Sequence, residues 1–115
     1  MDLRKIELVL LGLDDLSRAA EHAEEQLKTE PSDFLKSHIT GLKLTQRKIE
    51  DALGIEAYHA KTGDKFDVNL MHAIASVIDL PDNSVAYQTT AGYKSKENGK
   101  IIRFAKVVVN RRPTL

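Results

Sequence analysis

Residues 92–109, GYKSKENGKIIRFAKVVV, decide how this chain folds. Residues 101–109 form its densest β-branched run and read as a strand. Upstream, Val85, Tyr87, Thr89, Ala91 and Tyr93 alternate with Ala86, Gln88, Thr90, Gly92 and Lys94, the period-two pattern of a second strand. Asn98-Gly99 lies between them and supplies the positive φ angles of a tight turn. Together they predict a hairpin. With Asn98-Gly99 as the whole loop, Lys94 would face Arg103 and the like charges would repel. With residues 96–99 as the loop, Tyr93 faces Ile102 and Gly92 faces Arg103. The second register is the expected one, although a two-residue slip keeps every side chain on its face.

The first half of the chain is of another kind. Ile6, Val9, Leu13, Leu16, Ala20, Ala23 and Leu27 recur at alternating spacings of three and four, an a/d seam widened by Leu10. Pro31 cannot continue that helix. Ser32 is the expected N-cap of a second helix, with Asp33 in its first turn. That helix is predicted over 33–53, with Leu35, Ile39, Leu42, Ile49 and Leu53 as its stripe and Gln46 as the polar seam position. Gly54 is its natural stop. Gly41 inside it costs about 1 kcal/mol against Ala, so a close neighbour or a bend is expected there.

A two-helix hairpin has little to close its apolar seam. Pairing two hairpins about a two-fold axis makes a four-helix bundle, so a homodimer through these seam residues is expected on physical grounds. The alternative is that both seams pack on the chain's own β segment.

Composition narrows the rest. The chain has 115 residues, enough for one domain or two very small ones. The expected division is 1–53, a helical hairpin and dimerisation bundle, and 54–115, a small β domain: an α+β fold. With 42% apolar residues, 5% aromatics and no Trp, the core is aliphatic and modest, which makes self-association a natural way to bury more surface. There is no Cys, hence no disulfide framework or thiolate chemistry. No stretch approaches the ~20 apolar residues of a membrane helix, and the N-terminus carries no signal-peptide pattern, so a cytoplasmic protein with no membrane partner is expected. Formal charge is zero, but residues 1–60 carry −4 and residues 61–115 carry +4. Two solvated faces account for so small a dipole.

Catalytic constellations do not emerge. His22, His38, His59 and His72 share no metal-ligand spacing, so neither a metal nor another cofactor is expected. No Gly-rich phosphate loop is present; Gly63 and Gly99 are turn residues. Asp14-Asp15 and Glu24-Glu25 are neighbours on a helix and do not converge as acid and base. Lys94, Lys96, Lys100, Arg103, Lys106, Arg111 and Arg112 are basic, but Tyr93 and Phe104 read as hairpin packing rather than base-stacking platforms, so no nucleic acid is expected. The expectation is a protein that is not an enzyme.

Residues 55–60 are a short strand candidate, 61–64 have turn chemistry, and 80–84 read as a turn.

Several patches resemble the GrpE family, the nucleotide exchange factors of DnaK-type chaperones. Gly92-Tyr93-Lys94, Asn98-Gly99-Lys100, Ile102-Arg103 and Ala105-Lys106-Val107-Val108-Val109 look like its closing signature. Leu13-Asp14-Asp15-Leu16-Ser17-Arg18-Ala19 resembles its aspartate-x-leucine-x-arginine-alanine stretch. Thr40-Gly41-Leu42-Lys43-Leu44-Thr45 resembles its glycine-containing second helix, and Gly54-Ile55-Glu56 its exit into the β domain. Phe66-Asp67-Val68-Asn69-Leu70-Met71-His72-Ala73 resembles its loop phenylalanine-aspartate-proline-asparagine-leucine-histidine-glutamate-alanine, with Val68, Met71 and His72 departing from the pattern. Phe104 departs too, where a proline or alanine follows the arginine. The resemblance covers nearly all of residues 8–110 in order, with about two extra residues in the hairpin loop.

The resemblance implies a homodimer that docks its β domain on the nucleotide-binding domain of a DnaK-type chaperone and opens the cleft so that ADP leaves. It implies chaperone contacts at Phe66, Val68, Lys100 and Val109, of which Phe66 and Val109 read equally as core residues. Arg103 either holds the hairpin or contacts the partner. Family members carry a long paired helix and an acidic segment before the bundle, and this sequence begins at the bundle. A dimeric interaction module without exchange activity is the alternative.

Overall fold

The computed structural model describes residues 3–78 and 83–111. It divides into two units, Met1–Leu53 and Gly54–Leu115, the first helical and the second built of strands, so the fold is α+β.

The helical unit consists of α1 (Leu3–Thr29) and α2 (Asp33–Leu53). Their ends have local causes. The Ser32 hydroxyl accepts a bond from the Leu35 amide at 3.2 Å, the N-cap the sequence predicts, and Asp33 adds a negative charge to the first turn. Gly54 stops α2 with a φ of 66°, a left-handed angle that costs glycine little. Leu13, Ala20 and Ala23 of the α1 seam are buried, as are Leu10 and, on α2, Ile39. Gln46 donates to the Ser17 hydroxyl at 2.9 Å, so the polar seam position finds its partner inside the hairpin. Lys43 pairs with Glu24 across the helices at 2.6 Å. Of the close neighbour or bend expected at Gly41, the neighbour is not found among the described residues: a Cβ there would meet none of their atoms within 4 Å.

The second unit has six strands among the described residues: β1 (Ile55–Tyr58), β2 (Met71–Val77), β3 (Val85–Thr90), β4 (Gly92–Ser95), β5 (Ile101–Arg103) and β6 (Ala105–Asn110). They form two three-stranded sheets, β1-β4-β5 and β2-β6-β3. The first is antiparallel; in the second, β6 runs antiparallel to β3 and parallel to β2. The hairpin predicted from 92–109 is therefore present but divided. Its first strand breaks at Ala91 and its second at Phe104, and the outer and inner halves belong to different sheets. The strand at Met71–Val77 was not legible in the sequence. The turn expected over 80–84 lies outside the described residues, apart from Asn83 and Ser84.

The register also needs correction. The loop does span 96–99: Ser95 donates to the Lys100 carbonyl at 2.9 Å, and Gly99, with φ 71°, donates to the Ser95 carbonyl at 2.9 Å. Lys94 faces Ile101, as that loop requires. A bulge then shifts the pairing by one residue, so Tyr93 faces Arg103, not Ile102. The shift lets the Arg103 guanidinium lie over the Tyr93 ring, 5.2 Å from its centroid. Lys94 is thereby kept from Arg103 and pairs instead with Glu56 of β1 at 3.5 Å.

The core of this unit gathers Ala60, Met71, Val85, Ala105, Val107 and Val109, with Tyr58 and Phe66 packed against it. Val107 and Val109 alternate with Lys106 and Val108 along β6, so the period-two pattern places one side of the central strand in the core. Asn110 is fully buried and satisfied: its amide nitrogen donates to the Ser84 hydroxyl at 2.9 Å and to the Ser84 carbonyl at 3.3 Å.

Candidate functional site

The 66–70 loop is shaped by Asp67. Its carboxylate accepts from the Asn69 amide at 2.8 Å, and its carbonyl accepts from the Leu70 and Met71 amides at 3.1 and 2.9 Å. Such a self-bonded aspartate turn holds its tip without outside help. Val68, at that tip, is 70% exposed, and Leu70 is exposed beside it. Phe66 points the other way, half-buried against the core, with its amide donating to the Asn83 carbonyl at 2.8 Å.

Tyr58 joins this loop to the divided hairpin. Its hydroxyl donates to the Leu70 carbonyl at 2.7 Å and lies 3.3 Å from both the Arg103 carbonyl and the Ala105 amide, from which it accepts. Ala105 also donates to the Leu70 carbonyl at 3.2 Å. The backbone groups on either side of Phe104 thus bond to β1 and to the loop, which is why the strand breaks there. Burial raises the Tyr58 hydroxyl above its usual pKa of 10.0, against the smaller opposing pulls of the Ala105 bond and the Arg103 charge, so it stays protonated. Gly92 packs against the Tyr58 ring; a Cβ there would overlap Cζ. The break at Ala91 has a matching clamp: Arg103 donates to the Ala91 carbonyl from Nε at 3.1 Å and from Nη2 at 2.7 Å.

The site residues expected from the sequence therefore fall into three settings. Tyr58 ties the Leu70 end of the loop that carries Val68 to the Arg103 backbone, and the Arg103 side chain is half-buried and holds the hairpin. Lys100 stands exposed at the hairpin loop, its amide bonded to the Asn98 side chain at 2.9 Å. Phe66 and Val109 share the core, and Val109 is only 2% exposed. Tyr58 itself went unnoticed in the sequence, because a single tyrosine in a four-residue strand carries no periodic signal. Among the described residues no cluster of three His, Cys, Asp or Glu is placed to hold a metal, and no helix is long and apolar enough to cross a membrane.

The GrpE family model matches residues 5–111, the two helices and all six strands. The chain is 32% identical over 104 residues to a protein named Protein GrpE from Oceanobacillus iheyensis, covering 86% of this chain and 53% of that one. It is 34% identical over 106 residues to Protein GrpE of Nitrobacter winogradskyi, covering 88% and 52%. For Protein GrpE of Francisella philomiragia the identity is 32% over 102 residues, covering 84% and 49%. This chain belongs to the GrpE family. It spans about half the length of these curated relatives.

Proposed function

We propose that this chain is a GrpE-type co-chaperone: a homodimer whose β unit binds the nucleotide-binding domain of a DnaK-type chaperone and promotes ADP release in the cytoplasm. The observation that carries the reading is the family match running unbroken through both units. No bond is made or broken in such a role. The protein binds the open, nucleotide-free chaperone more tightly than the closed one, and its differential affinity shifts the population toward release. The contact surface we propose joins the exposed tip at Val68, the half-buried Arg103 and Lys100 on the hairpin loop. Phe66 and Val109 support that surface from the core.

The homodimer is proposed through the helical unit. Ile6, Val9, Leu16 and Leu27 of α1, with Leu35, Leu42 and Ile49 of α2, keep part of their apolar surface uncovered in the single chain. A second hairpin in a four-helix bundle would cover that remainder.

Release of labelled ADP from the cognate chaperone, with and without this chain, tests the reading. Lys100→Glu should slow the stimulated release more than Lys36→Glu, an exposed lysine on α2, and the difference should shrink as salt rises. Release unchanged by the wild-type chain at high concentration would favour the dimeric interaction module without exchange activity. Equal effects of the two charge reversals would mean that the contact surface lies elsewhere.

A further inference from the structure

Among the described residues the two sheets of the β unit end in four edge strands, β1 and β5 in one sheet, β2 and β3 in the other. An edge strand offers unpaired backbone groups to any extended chain, and charge or cover blunts it. Three of these edges are blunted. β1 is four residues long and carries Glu56; β5 is three residues long, follows Lys100 and ends in Arg103. The outer edge of β3 is covered from within the chain. The Val85 amide donates to the Asp64 carbonyl at 2.7 Å and the Val85 carbonyl accepts from the Gly63 amide at 2.8 Å, while the Ala86 carbonyl accepts from the Thr62 hydroxyl at 2.8 Å.

β2 is neither charged nor covered. Residues 68–78 are eleven in a row without Lys, Arg, Asp, Glu or Pro, in a chain of which 30% is charged. Its inner edge is in use: the Leu70 and Val77 carbonyls accept from the Ala105 and Arg111 amides. At its start Met71 is buried and the His72 ring stacks on Phe104, 4.1 Å between centroids. Beyond that point the strand is exposed throughout, and Ile74, Val77 and Ile78 are 54%, 36% and 71% exposed.

A chain added to this edge has to be extended and uncharged, because a charge laid against Ile74 and Ile78 would lose its water without gaining a counter-charge. Within this protein the one other uncharged stretch as long is 83–93, and it holds β3, whose edge is already taken. β2 itself meets both conditions. Antiparallel pairing about a two-fold axis gives each β2 an identical uncharged partner, and centred on Ile74 it sets the exposed residues of one copy against those of the other. The register shift between Ala73 and Ala75 leaves Ile74 without a partner on β6, and such a bulge bends the edge and keeps the pairing short. So few apolar side chains per copy fall below the ~1,200 Å² of a stable interface, which makes the contact reversible and dependent on concentration.

We infer that β2 is a self-association edge: β2 of a second copy adds antiparallel to it, and the two β2-β6-β3 sheets become one sheet of six strands. The inference does not depend on the chaperone docking proposed above. The contact is also separate from the helical seam, so dimers formed through the helices would be linked into tetramers.

Sedimentation equilibrium of the full chain across the micromolar to millimolar range tests it. The wild-type mass should double over that range. Ile74→Lys puts on the edge the residue type that keeps edge strands apart, and should raise the dissociation constant of this step about tenfold or more. Ile78→Lys, at a more exposed side chain, should do the same and decides the question even if Ile74→Lys disturbs the sheet. Tyr87→Lys, at an exposed position of β3, should change the constant less than about twofold. Equal masses for wild type and both β2 variants at every concentration would overturn the inference, as would an equal loss with Tyr87→Lys. Hydrogen exchange identifies the occupant: the β2 amides should gain protection as the concentration of this chain alone rises. Protection that appears only when the nucleotide-binding domain of a DnaK-type chaperone is added would assign the edge to that partner and overturn self-pairing.

Discussion

The two units of this chain are held by interactions of very different sequence range. In the helical unit the determinants are local: Ser32 caps an amide three residues on, and Gly54 stops α2 where it stands. In the β unit they are remote. Tyr58 reaches backbone groups 45 and 47 residues away, and Arg103 clamps a carbonyl 12 residues back. Local determinants tolerate change elsewhere in the chain. Remote ones act together, so a single change at the clasp should be felt throughout the β unit.

The largest effect should come from Leu13→Asp. Leu13 is 1% exposed, and a carboxylate there would be buried without a partner, costing about 3–5 kcal/mol. Helical circular dichroism should collapse. If the helices persist unchanged, the seam does not hold that unit together.

Gly92→Ala comes next and probes the other unit. The new methyl would overlap a tyrosine ring whose hydroxyl is bonded to three backbone groups, so the ring cannot simply swing away. Overpacking of this kind costs about 1–3 kcal/mol, sometimes more. Near-ultraviolet signals from the tyrosines should melt earlier, while the helical signal at low temperature keeps its amplitude.

Tyr58→Phe should cost about 1–2 kcal/mol, because the ring still packs on Gly92 and the Leu70 carbonyl keeps its bond from Ala105. It should also change the alkaline limb of stability. The Tyr58 pKa is raised in the folded state, so its contribution is fully present below pH 10.0 and is lost as pH rises through the folded value. Wild type should therefore lose stability above pH 10.0 more steeply than Tyr58→Phe; equal slopes in chemical-denaturation titrations would show that the hydroxyl contributes nothing.

The smallest effect belongs to Ser32→Ala, which removes one cap and should cost about 1 kcal/mol. Its melting shift should appear in the helical signal and leave the tyrosine signals alone. A shift of both would mean that the two units unfold as one.

The limits of α2, Asp33–Leu53, coincide with those read from Ser32 and Gly54, because capping chemistry acts within a single turn and those residue types announce it. The 96–99 loop was likewise legible, since Gly99 sits where positive φ is needed. Of the candidate site, the exposed Val68 and Lys100 could be singled out from the sequence through the family pattern, but the pairing of Arg103 with Ala91 and Tyr93 could not. The strand at Met71–Val77 shows no alternation, and its pairing with β6 is parallel and more than thirty residues distant, so nothing nearby in sequence marks it. The helical hairpin, the two-unit division and the existence of a β-hairpin follow from periodicity and turn chemistry, which every short stretch carries within itself. The breaks at Ala91 and Phe104, the one-residue shift opposite Tyr93 and the meeting of His72 with Phe104 were decided only by tertiary structure. Each depends on a side chain reaching backbone or ring atoms that the chain brings near only once it has folded.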